Sequence, residues 1–452
     1  MNRSIEKNQL LKPIEMAIII LLVFLGYNYL GSIVLFALGC VLLTGWCIAG
    51  NVNDVFLSLV VMVPNMMMIK YLNSEFAILG YVILIFEWRY LLLIYKKEKK
   101  IIVTIESICF GFFALITFSL TMSASYLASA IRVVSFSIFI YEFLKNSKNK
   151  NKGLSDGIIL CFCFGVAMSV VLGIVFWIAT GQNVFIGYFS GIRNDRNYFS
   201  STVSLGIAVA TMYYTTSLHK RYTRWCPVLL VVMLAGGLLS GSRTFVASLL
   251  ISVIILFYNS LSIKQFKRLL TLIVVFFILM MIIGDNQNIL ANIQNTLARF
   301  SDNDVKSGNG RFDIWKIYLG DFTGSLIGFL FGRGTESAIR RMMPDFMATH
   351  NTVIQGLYCG GLTGFLAYIG IYLKIFHKMS QHRHVRIIEM LPIVDVLLCR
   401  FFVASYMSDA VSFEILVAIV TATYRITGEN NEYSSNKYNL WSGKHRKNCC
   451  FD

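Results

Sequence analysis

Long apolar runs alternate with short polar turns along almost the whole chain. About fourteen of these runs approach or reach the roughly 17 to 25 apolar residues that a helix needs to cross a bilayer. They cover 14–27, 30–49, 55–69, 76–95, 102–121, 124–143, 158–179, 198–216, 227–240, 244–259, 268–284, 351–375, 390–407 and 411–425. The pattern predicts an all-α polytopic membrane protein with about 12–14 transmembrane helices.

Composition excludes an ordinary soluble protein. Hydrophobic residues make up 56% and charged residues 14% of the 452 residues, whereas soluble domains carry about 25% charged residues. The net charge of +16 would suggest a nucleic-acid partner if it formed surface patches. Because most of it lies in short runs between apolar stretches, it indicates membrane orientation instead, with membrane lipids and no nucleic acid as partners.

Lysine and arginine set the predicted orientation. The basic loops follow even-numbered spans, so one assignment with both termini in the cytoplasm satisfies them all. These loops are 96–100, 145–152, 220–224, 264–268 and 374–386. The predicted organisation is a cytoplasmic tail (1–13), transmembrane helices 1–11 (14–284), a large outward-facing loop (285–350), transmembrane helices 12–14 (351–425) and a second cytoplasmic tail (426–452).

The long outward-facing loop should contain an amphipathic helix at the membrane surface. Phe312, Trp315 and Leu319 share one face at helical spacing. A connection of this length within a membrane protein is usually functional or disordered.

Basic residues on the outer side are the informative ones, because topology does not require them. Arg193 and Arg196 precede an apolar run, Arg243 lies in a tight turn between two runs, and Arg311 lies in the long loop. Several guanidinium groups meeting there would suit a diphosphate, since each makes bidentate bonds to phosphate oxygens. The alternative is a solvated loop, in which acidic residues match the basic ones.

His350 is the one histidine on the predicted outer side, where the long loop meets the membrane. Its ordinary pKa suits a proton acceptor near neutrality, although a packed or capping residue is the alternative. The helix that follows carries Gly356, Gly360 and Gly364, a stripe of small residues typical of close helix contacts.

Three charged residues fall inside apolar runs: Arg132, Asp395 and Arg400. Such groups are costly in hydrocarbon and are candidates for function. The alternative is a structural ion pair of Asp395 with Arg132 or Arg400.

The ten cysteines show no zinc spacing, and the chain has no phosphate-binding glycine loop followed by Lys and Ser or Thr. We therefore predict no metal and no cofactor.

Five short motifs occur in the order found in the bacterial O-antigen ligase and O-antigen polymerase family, which the chain resembles over roughly 185–375. They are Ser-Gly-Ser-Arg-Thr at 240–244, Gly-Arg-Phe-Asp-Ile-Trp at 310–315, Phe-Gly-Arg-Gly at 331–334, His-Asn-Thr-Val-Ile-Gln at 350–355 and Gly-Gly-Leu-Thr-Gly at 360–364. Each motif is short, and their ordered combination carries the resemblance.

The resemblance implies a fold similar to membrane glycosyltransferases of the GT-C type. It also implies transfer of a glycan from undecaprenyl diphosphate to an acceptor hydroxyl at the periplasmic face of the bacterial inner membrane. Carried over by motif, Arg243 and Arg311 would bind the diphosphate, and His350 would activate the acceptor or contact the phosphate. The remaining predicted substrate-binding residues are Arg193, Arg196, Arg333, Arg132 and Arg400.

A polymerase, which extends a lipid-linked repeat unit, is favoured over a ligase, which transfers polymer to lipid A core. The lysine, isoleucine and asparagine usage is typical of polymerase gene clusters. Expected partners are the lipid-linked oligosaccharides, a chain-length regulator and a flippase. A flippase or other transporter is the non-enzymatic alternative, but it should show internal repeats and a charged midplane cavity, and no repeat is evident.

Overall fold

The computed structural model describes a bundle of α-helices. It covers residues 5–71, 78–147, 152–184, 188–192, 195–216, 223–259, 311–337, 339, 348–380, 387–403 and 405–424. The predicted run 268–284, Arg193 and the whole of the long loop before Arg311 lie outside these residues. Over the described ranges the chain forms 15 α-helices and no strand, which confirms the predicted all-α polytopic class.

The first seven helices follow the predicted apolar runs. They are α1 (Ile5–Leu30), α2 (Ile33–Ala49), α3 (Val52–Met62, continued by a 3₁₀ turn at Val63–Met68), α4 (Ile78–Glu98), α5 (Ile105–Thr121), α6 (Ala124–Ser147) and α7 (Lys152–Ala179). The others are α8 (Arg196–Thr216), α9 (Cys226–Leu239), α10 (Arg243–Asn259), α11 (Arg311–Thr323), α12 (Leu326–Phe331), α13 (Thr352–Ser380), α14 (Leu391–Phe401, after a 3₁₀ turn at Ile387–Met390) and α15 (Asp409–Ala422).

Length and exposure agree with a membrane environment. Among the described helices, five are long and apolar enough to cross a bilayer, and further apolar helices of 10–17 residues accompany them. Val34, Val41 and Ile105 are 70, 68 and 65% exposed. Apolar side chains exposed in such numbers would aggregate in water, so we assign this surface to lipid.

Helix α8 lies at the centre of the bundle and packs against α7, α9, α10, α14 and α15. Almost every residue from Tyr198 to Tyr213 is buried. Its small polar side chains bond to neighbouring helices: the Ser200 hydroxyl donates to Ser242 at 2.9 Å, and the Thr202 hydroxyl donates to Glu414 at 2.7 Å. This central helix therefore fixes the relative positions of α10 and α15.

Helix α13 is broken at Gly361, which has a φ of 70°. A Cβ atom at this position would overlap the carbonyl oxygen of Leu330 in α12, so the break and the close packing of α12 both require glycine. The predicted stripe of Gly356, Gly360 and Gly364 faces the aromatic side chains of Phe365, Tyr406 and Tyr126, and not another helix backbone. The tight backbone contact that we expected from the stripe occurs at Gly361 instead.

Candidate active site

Four charged or titratable side chains lie at helix N-termini. Arg243 is the first residue of α10, and Arg311 is the first residue of α11. Asp195 directly precedes α8, and His350 lies two residues before α13. Each helix N-terminus has unpaired backbone N–H groups and a partial positive charge, so anions are favoured wherever such ends meet.

Arg243 follows a compact turn. Gly241 has a φ of 55°, which favours glycine, and its N–H donates to the Leu238 carbonyl at 3.1 Å. The buried hydroxyl of Ser242 accepts the bond from Ser200 of α8. Because Ser200 lies little more than one turn after Asp195, this bond brings the beginnings of α8 and α10 together.

Arg311 is set beside His350 by the geometry of α11. Trp315 lies four residues later, on the same helix face as Arg311, and its indole N–H donates to the Thr349 carbonyl at 2.8 Å. A helix is present where we predicted one. Its buried residues are Tyr318 and Phe322, whereas Phe312 and Leu319 of the predicted apolar face are exposed, so its amphipathic placement at the membrane surface stays a prediction.

His350 lies between two fully buried residues. Thr349 and Asn351 are each 0% exposed, and Asn351 caps α13 by accepting the N–H groups of Val353 and Ile354 at 2.9 and 3.1 Å. The φ of His350 is 46°, a left-handed conformation that is uncommon for histidine and tends to occur at functional sites.

The electrostatics show that these groups are neighbours. Burial lowers the pKa of the Arg311 guanidinium, the positive charge of Arg243 lowers it further, and Asp195 opposes both effects. Burial likewise lowers the pKa of His350, with Arg311 adding to the shift and Asp195 opposing it. Because the ordinary pKa of histidine is already below 7, this lowering favours the neutral imidazole near pH 7.

Asp195 is the residue of this cluster that sequence reasoning missed as a site residue. Its carboxylate caps α8 by accepting the N–H groups of Asn197 and Tyr198 at 2.8 and 3.1 Å. An Asp directly before an apolar run is a helix-start signal. That signal predicts a cap, but it does not reveal that the same carboxylate faces Arg311 and His350.

The other predicted outer arginines have separate contacts. The Arg333 guanidinium donates to the carbonyl and the carboxylate of Asp321 at 3.0 and 3.3 Å, and Tyr358 donates to the same carboxylate at 3.0 Å. The guanidinium of Arg196 lies 4.9 Å from the ring centre of Tyr188. Arg193 lies outside the described residues.

The charged residues inside the apolar runs pair differently from the predicted alternative. Arg132 bonds to Asp409 at 2.9 Å, and Arg400 bonds to Glu414, so neither arginine has Asp395 as its ion-pair partner. Asp395 instead accepts from Ser204 at 2.9 Å and from a second buried serine. The pairing prediction is wrong because sequence does not show that α15 supplies two acids to the bundle interior.

No group of three or more His, Cys, Asp or Glu side chains within the described part of the chain could hold a metal ion. What the cluster offers instead is anion binding by two guanidinium groups and helix ends, beside a neutral imidazole. This combination can stabilise negative charge and accept a proton.

The fold thus defines a polytopic all-α membrane protein with a cationic cluster at helix N-termini. Residues 228–369 match the family model described as O-antigen ligase, and this segment contains Arg243, Arg311 and His350. The match confirms the resemblance to the O-antigen ligase and polymerase family over this segment; members of that family are glycosyltransferase-like enzymes. A search of curated proteins finds no match to the chain.

Proposed function

We propose that the protein is a polymerase of O-antigen or a related surface polysaccharide. It transfers a growing glycan from undecaprenyl diphosphate to the sugar end of another lipid-linked repeat unit, at the periplasmic face of the inner membrane. The acceptor hydroxyl oxygen forms a bond to the anomeric carbon, and the bond from that carbon to the diphosphate oxygen breaks. The diphosphate leaves with the electron pair, and the hydroxyl loses its proton.

The observation that carries this proposal is the meeting of Arg243 and Arg311 at helix N-termini. The Arg243 guanidinium is close enough to lower the pKa of Arg311, and two positive charges side by side at helix N-termini favour an anion. A diphosphate compensates this positive charge, and its own negative charge increases as the glycosyl bond breaks. Charge stabilisation of this kind is worth roughly 10²–10³ in rate for a single donor.

His350 supplies the second requirement, a proton acceptor. Burial and Arg311 hold its pKa below the ordinary value, so the imidazole is neutral and can accept the hydroxyl proton near pH 7. The acceptor hydroxyl would bind between this imidazole and the anomeric carbon. Arg193, Arg196, Arg333, Arg132 and Arg400 remain predicted contacts for the diphosphate or the glycan.

A ligase that transfers polymer to lipid A core is the second candidate, favoured by the description of the matching family as O-antigen ligase. Ligase and polymerase use the same donor chemistry and differ in the acceptor. The same cluster would therefore serve both reactions. A chain-length regulator and a flippase are the partners expected for a polymerase.

Deletion of the gene followed by analysis of surface glycan separates the candidates. A single repeat unit on the core indicates a polymerase, whereas polymer retained on undecaprenyl diphosphate indicates a ligase. Repeat units stranded on the cytoplasmic side indicate a flippase and would contradict the proposal. Complementation with the wild-type chain should restore the product, and complementation with His350→Ala should not.

A further inference from the structure

A short segment, Gly332–Glu336, connects the break in α13 with the residue before His350. We call it the strap. Its Arg333 N–H donates to the Tyr358 carbonyl at 2.7 Å, and its Gly334 N–H donates to the Cys359 carbonyl at 2.9 Å. Both carbonyls lie just before Gly361, where the helix is interrupted. The strap thus supplies donors to carbonyls beside a helix break, which would otherwise lack partners.

The two glycines of the strap are required by its path. Gly332 and Gly334 both have a φ of 75°. A Cβ atom on Gly332 would overlap the Gly361 amide, and one on Gly334 would lie 2.6 Å from the Thr121 hydroxyl. The Phe-Gly-Arg-Gly motif therefore serves first to seat the strap against α13 and α5.

The other end of the strap holds Thr349. The Glu336 carboxylate accepts the Thr349 hydroxyl at 2.9 Å and the Thr349 N–H at 3.4 Å. The Thr349 carbonyl accepts the indole N–H of Trp315 at 2.8 Å. All three polar groups of this buried residue are thus engaged, two of them by Glu336.

The bonds from Thr349 to Glu336 explain how His350 keeps an unfavourable left-handed backbone conformation. A left-handed conformation is unfavourable for a non-glycine residue, and it persists only where the surroundings fix it. Thr349 is fixed on one side by Glu336 and Trp315, and Asn351 is fixed on the other side as the cap of α13. The direction of the imidazole follows from these two anchors.

We infer that Glu336 and Thr349 are positioning residues for His350 in glycan transfer. They act through the backbone of His350 and not through contact with the substrate. The inference rests on the proposed role of His350 as the proton acceptor. A displacement of about 1 Å in a reacting group can cost about 10²-fold in rate, so loss of this attachment should reduce transfer without removing the diphosphate site.

A matched pair of substitutions at Thr349 tests the inference. Thr349→Val keeps the shape and the branched Cβ but removes the hydroxyl donor, whereas Thr349→Ser keeps the hydroxyl. Lipid-linked glycan extracted from the deletion strain serves as the substrate for the full-length protein in nanodiscs. Affinity for undecaprenyl diphosphate is measured separately on the same samples.

We expect Thr349→Val to lower the transfer rate by about 10- to 100-fold with unchanged affinity for undecaprenyl diphosphate, and Thr349→Ser to keep most of the rate. Glu336→Gln retains an acceptor oxygen and should show a smaller loss than Glu336→Ala. Asp313→Asn, at a position 79% exposed on α11, is the control and should behave as wild type.

Equal rates for Thr349→Val and Thr349→Ser, with His350→Ala inactive, would overturn the inference and leave the proposed function intact. Loss of undecaprenyl diphosphate affinity together with the rate in Thr349→Val would also overturn it, because the attachment would then support the whole site. Full activity of His350→Ala would remove the proposed proton acceptor and the inference with it.

Discussion

Arg311 offers a test in which ligand binding and stability should move in different directions. The Arg311→Gln substitution removes a guanidinium whose charged form is disfavoured by burial and by Arg243. The unliganded protein should therefore be at least as stable as the wild type. The diphosphate, by contrast, loses one charge-assisted partner, which is worth about 1.5–3 kcal/mol, or about 10- to 150-fold in Kd.

A thermal-shift assay measures this loss of affinity for undecaprenyl diphosphate. At a concentration of undecaprenyl diphosphate about 100 times Kd, ligand binding stabilises the wild type by about 2.7 kcal/mol. At the same concentration the weaker Kd of Arg311→Gln reduces this stabilisation to between about 1.4 and about 0.3 kcal/mol. The midpoint of unfolding, Tm, is measured for both proteins in detergent with and without the lipid.

Lys316→Gln on the same helix is the control, since the Lys316 side chain is 81% exposed. It should show the ligand-induced rise in Tm of the wild type. The reasoning is refuted if Arg311→Gln shows that full rise as well. It is also refuted if Arg311→Gln unfolds at a clearly lower temperature without ligand, because the charge would then be stabilising the empty site.

Two further substitutions probe the electrostatics and the broken helix. Asp195→Asn keeps the cap of α8 but removes the negative charge that raises the pKa of His350. The pKa of His350 should therefore fall. In a plot of transfer rate against pH, the acidic limb should move to lower pH. A limb that stays in place or moves to higher pH would count against the assignment of the proton acceptor. Gly361→Ala places an alanine in a left-handed conformation, which costs about 1–2 kcal/mol, and brings its Cβ against the Leu330 carbonyl. Both effects should lower Tm and the transfer rate. Gly370→Ala, where the nearest atom is 3.6 Å away, is its control, and equal Tm values for the two variants would contradict the account.

Much of the fold could be predicted because a bilayer imposes a simple rule on the sequence. Apolar length alone located α1 to α10 and α13 to α15. Helix α11 was expected from the spacing of Phe312, Trp315 and Leu319, and α12 was not predicted. The break in α13 could not be predicted in this way, because the glycines at 360–364 are equally typical of a continuous helix packed closely on another. The break in α13 depends on the contact between Gly361 and Leu330, and these two residues lie in separate helices.

In the candidate site, too, local sequence signals predict some residues, whereas others are revealed only by contacts between separate helices. Arg243, Arg311 and His350 could be predicted because each is a polar group at the edge of an apolar or amphipathic run. Asp195 could not, because its local role as a cap accounts for it fully until the fold brings it to Arg311.

The ion pairs of Arg132 and Arg400 show most clearly what the sequence cannot predict. The partner of Arg132 is Asp409, 277 positions away. Hydropathy places both residues near apolar runs, but it carries no information on which helices are neighbours. Only packing around α8 and α15 determines which acid meets which arginine.

The most direct test of the central claim is a cryo-EM structure of the full-length protein in nanodiscs with undecaprenyl diphosphate. The account predicts phosphate oxygens within hydrogen-bond distance of both Arg243 and Arg311, with the imidazole of His350 facing the same site. A diphosphate bound elsewhere, with the two guanidinium groups in contact only with protein or solvent, would contradict it.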